Sequence, residues 1–304
     1  MSSIQLGLVL LTGESPDGSR VARWSEIREL AVRAESMGLD TVWVIDELLW
    51  RRPDHPVQGF WDGIAMAGAV AASTTRIQVG TWVMSALHRN PGITAKVVET
   101  VDEICNGRFI FGLGAGHAWP GQAHAFGLPE DHLHARFDEA LQIIVPLLRT
   151  GHADFEGTYH AARDLEHRPV GPRPGRIPLM IGGHGPKMLR LAAIHADIWS
   201  AYSEQRDDVE EFVAKLAAFE AACAEVGRDP ATVGRSAGIS IAPLATKDAG
   251  GDAPSALTGD PESIAEAILA FEAAGFTQLE FLLQPMTIAA LEAMAPAIEL
   301  VRKH

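Results

Sequence analysis

"RFIFGLGAGH", residues 108–117, begins as a run of large apolar side chains and ends with Gly112, Gly114 and Gly116, spaced two apart, before His117. Phe109, Ile110, Phe111 and Leu113 form a short apolar run, which is the pattern of a strand buried on both faces. A dinucleotide fingerprint would place its third glycine at the head of a helix. Counted from Gly112 that position is His117, and counted from Gly114 it is Trp119. The stretch is therefore a strand whose C-terminal end has been stripped of side chains. The next helical periodicity begins only near Pro129, so bare backbone at the strand's end leaves room for a flat ligand to approach the main chain. A bend that needs tight packing would ask for the same glycines.

Working outward, the segment before this strand is a sharply punctuated helix. Asn90 supplies the N-cap and Pro91 the first position, Ile93, Val97, Val101 and Ile104 share one face, and Asn106–Gly107 ends it. Upstream lie three further strands: Ile4–Leu11, "DTVWVID" (40–46) and "RIQVGTWVM" (76–84). Between them run helices carrying Ile27, Leu30, Ala31, Ala34 and Met37, and then Trp61, Ile64, Ala65, Gly68, Ala69 and Ala72.

Downstream, Phe137, Leu141, Ile144 and Leu148 mark a helix, and "ADFEGTYH" (153–160) reads as an inserted hairpin turning at Gly157. Strands are expected at 177–183, 197–200, 236–244 and 277–283. Helices are expected from Pro186, around Phe212–Val226, from Pro261 behind the cap Asp260, and from about Thr287. Residues 245–260 read as a loop. Eight strands in strict alternation with helices, over 304 residues without a linker, predict a single α/β domain, 1–304. Its class is a (β/α)8 TIM barrel with a small hairpin insertion after the helix following strand four.

Bulk composition narrows the function. Lys and Arg number 25 against 39 Asp and Glu, a formal charge of -14, which opposes sequence-independent binding to nucleic acid or to anionic membrane. No apolar run reaches the roughly 18 residues of a spanning helix, and "MSSIQLGLVLL" lacks the basic flank of a signal peptide. Cys105 and Cys223 are far apart within helical patterns, so free thiols and a cytoplasmic location are expected. A second glycine segment, "IGGHGPKMLRLAA" (181–193), leads into a helix with Pro186 at its first position. Free N–H groups and the positive end of a helix dipole there suit a phosphate. His124, His132 and His134, with His117, raise a metal reading. His132 and His134 fall at a predicted helix start rather than at a strand end, so no metal is expected.

With these segments in hand, the chain resembles the bacterial luciferase-like superfamily, in particular the compact branch that uses the deazaflavin coenzyme F-420. "VWVIDELLWR", "NGRFIFGLGAGH", "FEGTYH" and "IPLMIGGHGP" carry the likeness. The resemblance implies a (β/α)8 barrel, usually a homodimer, with a bulge and a non-prolyl cis peptide near Trp82–Val83 beneath the cofactor ring. It implies cofactor contacts at Asp46, Trp82, Val83, Met84, Ser85, Gly114 and Gly116, and a phosphate held by Gly182, Gly183, His184 and Gly185. In the family's sugar-phosphate dehydrogenases strand two ends Asp-His and strand four's glycine segment is followed by Glu. Here the same places read Asp46–Glu47 and Gly116–His117, so the residue types are exchanged.

The expectation is that Glu47 and His117 handle the proton of a small-molecule substrate while hydride moves to or from the deazaflavin. Trp50 and Trp119 are candidate walls of the substrate pocket, and Arg51, Arg52 and Lys187 candidate partners of an acidic cofactor tail. The alternatives are an FMN-dependent monooxygenase fed by a separate flavin reductase, a metal-dependent barrel hydrolase, and a flavin-binding protein without turnover.

Overall fold

The computed structural model describes residues 3–15, 17–51, 55–116, 121–203, 209–245 and 256–304. Among the described residues eight parallel strands, the third resuming at Met84–Ser85 after a break, alternate with helices in the (β/α)8 order expected. Chain contacts group into two units, one of residues 1–11, 25–43 and 182–304, the other of residues 12–24 and 44–181. Among the described residues no helix is long and apolar enough to cross a membrane.

In the first unit, Ile198–Tyr202 pairs with Gly234–Ile241, which pairs with Gln278–Leu283, which pairs with Gln5–Leu10, all parallel. Leu6, Leu8, Ile239, Leu279 and Phe281 are buried completely, as strands covered on both faces require. The helix Val209–Glu225 sends Phe219 to stack on Trp199 at 4.6 Å, while Phe212, Phe271 and Phe276 meet edge to face. Asp260 caps Pro261–Ala273 through Ser263 N, as its sequence position predicts. The single C-terminal helix expected from Thr287 is two, Ile288–Ala293 and Ala295–Lys303. Pro296 explains the break, because its ring cannot continue a helix begun before it.

In the second unit, Phe109–Gly114 lies between Gln78–Thr81 and Leu179–Gly182, again in parallel register. The helix Pro91–Ile104 begins as read: Asn90 accepts from Gly92 N and Ile93 N, and Asn106 and Gly107 close it with positive φ. The insertion is an antiparallel hairpin, His152–Glu156 with Ala161–Glu166. Its turn sits on one side chain of the helix Leu133–Thr150: both oxygens of the Glu139 carboxylate accept from the amides of Thr158, Tyr159 and His160. A side chain on Gly157 would collide with that carboxylate at 2.5 Å.

Two local features depart from expectation. The segment 48–60 contains a short ribbon, Leu49–Trp50 with Gln58–Gly59, too brief to show a period. The region before Leu133 holds an extra helix, Gln122–Phe126, bounded by Gly121 and Gly127 in the left-handed conformation. At five residues it is shorter than the window that helical periodicity needs.

Candidate active site

The strand Gln78–Thr81 stops where the resemblance placed a bulge: the Trp82–Val83 peptide is cis, and pairing resumes at Met84–Ser85. Trp82 N donates to Val44 O, Met84 and Ser85 pair with Leu113 and Gly114, and Ala86 N donates to Gly114 O. The glycines of the quoted stretch now have a specific steric cause. A Cβ on Gly112 would stand 1.9 Å from the carbonyl oxygen of Thr81, and one on Gly114 would stand 3.0 Å from Val83 Cγ2. Gly116 has φ +76, and a Cβ there would meet Ser85 Oγ at 2.5 Å. The missing side chains make room for the bulge, and the bulge carries Trp82 and Val83, half-exposed, at the strand's end. Thr81 fastens the seat from its buried side: its hydroxyl donates to Gly112 O and accepts from Gly112 N.

Asp46 is the electrostatic centre of this region. Its carboxylate is fully buried and accepts from Ser85 N at 3.1 Å and from both terminal nitrogens of Arg89 at 2.8 and 3.1 Å. His88 Nδ1 lies 3.2 Å away, and Arg89 also reaches Asp62, the N-cap of the helix Gly63–Ser73, at 2.9 Å. Burial pushes the Asp46 carboxyl up, yet the hydrogen bonds from His88 and Arg89 and the guanidinium charge outweigh it and hold the group below the ordinary carboxylate range. A carboxylate so saturated is an anchor for the bulge rather than a base. Gly63 is required beside it, since a Cβ there would lie 2.9 Å from Asp46 Cα.

Glu47 follows directly and is half-buried. The backbone after it is held by Gln122, whose Oε1 accepts from Leu48 N at 3.0 Å and Leu49 N at 2.8 Å. Gln122 Nε2 stands 3.5 Å from His88 Nε2, so Asp46, His88, Gln122 and the segment after Glu47 form one continuous polar chain. Gln122, His88 and Arg89 went unremarked in the sequence. Arg89 precedes the Asn90–Pro91 cap, which was the available signal, whereas nothing in the sequence around Gln122 marks it.

Of the residues singled out from sequence, Asp46, Glu47, Trp82, Val83, Met84, Ser85, Gly114 and Gly116 are joined by this geometry. Trp50 packs on Phe60 with ring centroids 4.7 Å apart. His117, Trp119 and Arg52 lie outside the described residues, as does most of the 245–260 loop. Arg51 lies against Gly121, where a Cβ would meet its Cδ at 2.8 Å. His124, His132 and His134 are exposed, His132 stacking on Tyr159, and among the described residues no group of three or more acidic, His or Cys side chains is arranged for a metal ion.

The second glycine segment belongs to the other unit. Gly182 ends its strand and Gly183 has φ +136, with its amide donating to Ser200 O and its carbonyl accepting from Trp199 Nε1. His184 and Lys187 are exposed, and Gly185 precedes Pro186 at the start of the helix Pro186–His195.

Comparison with known proteins agrees with this construction. A curated F-420-dependent glucose-6-phosphate dehydrogenase of Amycolatopsis mediterranei (strain U-32) is 33% identical over 186 residues, covering 57% of this chain and 51% of that protein. A 5,10-methylenetetrahydromethanopterin reductase of Archaeoglobus fulgidus is 29% identical over 171 residues, covering 56% and 47%. The chain spans about half the length of these curated relatives. Among solved structures, an F-420-dependent secondary alcohol dehydrogenase in complex with an F-420-acetone adduct matches with a TM-score of 0.81 at 19% identity, over 99% of this chain and 100% of that one. A monooxygenase from Streptomyces bottropensis matches with a TM-score of 0.75 at 19% identity, over 99% and 98%. These likenesses show the fold, the (β/α)8 barrel class. Residues 4–250 match the luciferase-like monooxygenase family, and with more than half the chain so matched, the protein belongs to that family.

Proposed function

We propose that this chain is an oxidoreductase that binds coenzyme F-420 and exchanges hydride with a small organic substrate. The observation that carries the proposal is the break in the strand at Trp82–Val83, seated on Gly112, Gly114 and Gly116 and anchored by Asp46. It turns two apolar side chains and adjoining main chain to the strand's end, a surface suited to a planar ring. When bound, the deazaflavin supplies the hydride acceptor or donor. Asp46, already accepting from His88, Arg89 and Ser85, keeps the bulge in place and takes no part in proton transfer. Glu47, which precedes the two amides held by Gln122, is assigned the substrate's proton from its position after Asp46. His117 is assigned the complementary role from its sequence position alone. The phosphate expectation for the Gly182–Gly185 segment rests on the family resemblance, and the Gly183 amide is already bonded to Ser200 O.

F-420 dependence among the curated relatives supports this reading over the flavin one. The monooxygenases among the structural relatives keep a second reading in play, in which FMN, reduced by a separate enzyme, replaces the deazaflavin. A fluorescence titration of the protein with coenzyme F-420 and with FMN separates the two. Saturable binding of F-420, tighter than FMN, is expected, and the reverse preference would transfer the assignment to the oxygenase reading. Glu47→Gln is expected to keep F-420 binding while lowering turnover of a secondary alcohol or sugar phosphate by about 10²–10⁴-fold, the usual contribution of a general acid or base.

A further inference from the structure

Glu280 is a carboxyl group the proposed chemistry does not use. It sits midway along the strand Gln278–Leu283, is completely buried, and in register stands between Gly7 on one neighbouring strand and Gly238 on the other. Residues paired in a parallel sheet project from the same face, so Glu280 is a long polar side chain between two positions that have none. The vacancy at Gly7 is filled by the indole of Trp43: a Cβ built on Gly7 would lie 2.3 Å from Trp43 Nε1 and 2.8 Å from its Cδ1. Trp43 Nε1 thus stands beside the point where the Gly7 side chain would begin, on the face from which Glu280 projects one strand away.

Both groups are unsatisfied. Among the described residues Trp43 Nε1 and Glu280 Oε1 have no hydrogen-bond partner, although each is wholly shielded from solvent. Leaving a buried donor and a buried acceptor unpaired costs about 1–3 kcal/mol each, and native interiors meet such pairs with an ordered water. The other carboxyl oxygen, Oε2, is hydrogen-bonded to Ser236 Oγ, which lies 3.3 Å from Ser200 Oγ.

We propose that one water molecule is bound inside this unit between Trp43 Nε1 and Glu280 Oε1, completing a hydrogen-bonded chain from Trp43 through Glu280 and Ser236 to Ser200. The ligand's class follows from the site. One wall donates and the other accepts, so the occupant both accepts and donates. An anion is repelled by the carboxyl end and a cation by the indole N–H. Trp43 donates to the water, the water donates to Oε1, and Ser236 Oγ donates to Oε2. Burial raises the Glu280 pKa to about 8. The inference is independent of the cofactor assignment.

A high-resolution crystal structure of the wild-type protein is the direct test. A density peak within about 3.2 Å of both atoms is expected. An empty gap, or a direct bond between the indole nitrogen and the carboxyl, overturns the proposal. In solution, the Trp43 indole N–H resonance, assigned by its loss in Trp43→Phe, reads the same site. Glu280→Gln keeps an acceptor and is expected to leave that resonance close to its wild-type position, whereas Glu280→Leu removes it and shifts the resonance upfield. Equal shifts in both variants overturn the proposal, and if Glu280→Leu does not fold, the wild-type crystal structure decides alone.

Discussion

Replacing Glu280 by Gln should make the protein's stability less dependent on pH. The carboxyl has an ordinary value of 4.5 and is raised to about 8 in the folded chain by complete burial. Between those values the folded state holds a proton that the unfolded state has released, so stability falls as pH rises from about 4.5 to about 8 and levels off beyond it. Integrating from pH 5 to pH 8 gives a loss of roughly 3–4 kcal/mol at about 1.4 kcal/mol per pH unit. With an unfolding entropy of about 2.1 cal/mol/K per residue, a chain of this length loses roughly 1.6 °C of Tm per kcal/mol, so the effect is about 5 °C. Glutamine has the same shape and no proton to lose. The assay is the melting temperature of both proteins at half-unit intervals across that range, in one ionic strength. The difference between variant and wild type is expected to grow by about 5 °C in favour of the variant from pH 5 to pH 8, with most of the change above pH 6. A difference that stays constant across the range would show that Glu280 is already ionised at pH 5 in the folded chain, and would refute the reasoning.

Two other perturbations address the candidate site. Asp46→Asn removes the buried partner of the Arg89 guanidinium, leaving it only the exposed Asp62, and should cost up to about 3–5 kcal/mol, measured by denaturant unfolding at pH 7. Because the folded-state carboxyl lies below its ordinary value, that cost should shrink as the pH falls below the carboxylate range, where the wild type loses the same ion pair. Gly112→Ala must move the Thr81 carbonyl and should destabilise by about 3 kcal/mol, with loss of F-420 binding, whereas an alanine at Gly185, which meets nothing within 4 Å, should change the melting temperature little.

Much of the fold was legible because its signals are local. The Asn90–Pro91 and Asp260–Pro261 starts and the Asn106–Gly107 stop each satisfy a helix end by themselves, and all three recur in the structure. The ribbon at Leu49–Trp50 and the helix Gln122–Phe126 were not legible, since two and five residues are too few to display a period. In the candidate site, the bulge at Trp82–Val83 came from family resemblance and not from any pattern in "GTWVMS". The physical purpose of Gly112 and Gly114 was half visible: the sequence shows side chains missing but not which neighbour occupies the gap. The polar chain through His88 and Gln122 joins positions 34 residues apart, and His88 meets Asp46 across 42. Such partners are brought together only by folding, so no spacing rule could have linked them.

The attachment of the hairpin turn to Glu139 bears on how this region can be re-engineered. Three consecutive amides converge on one carboxylate, and Gly157 is the only residue of the turn whose small size that convergence demands. The exposed positions of the arms are then free to diverge in sequence while the docking point and the buried Ala153 and Ala162 are retained. A chimaera that exchanges residues 152–166 should therefore import the donor's own glycine and keep a glutamate at 139, because the transplanted arm would otherwise reach the helix with its knuckle of amides and find nothing to grip.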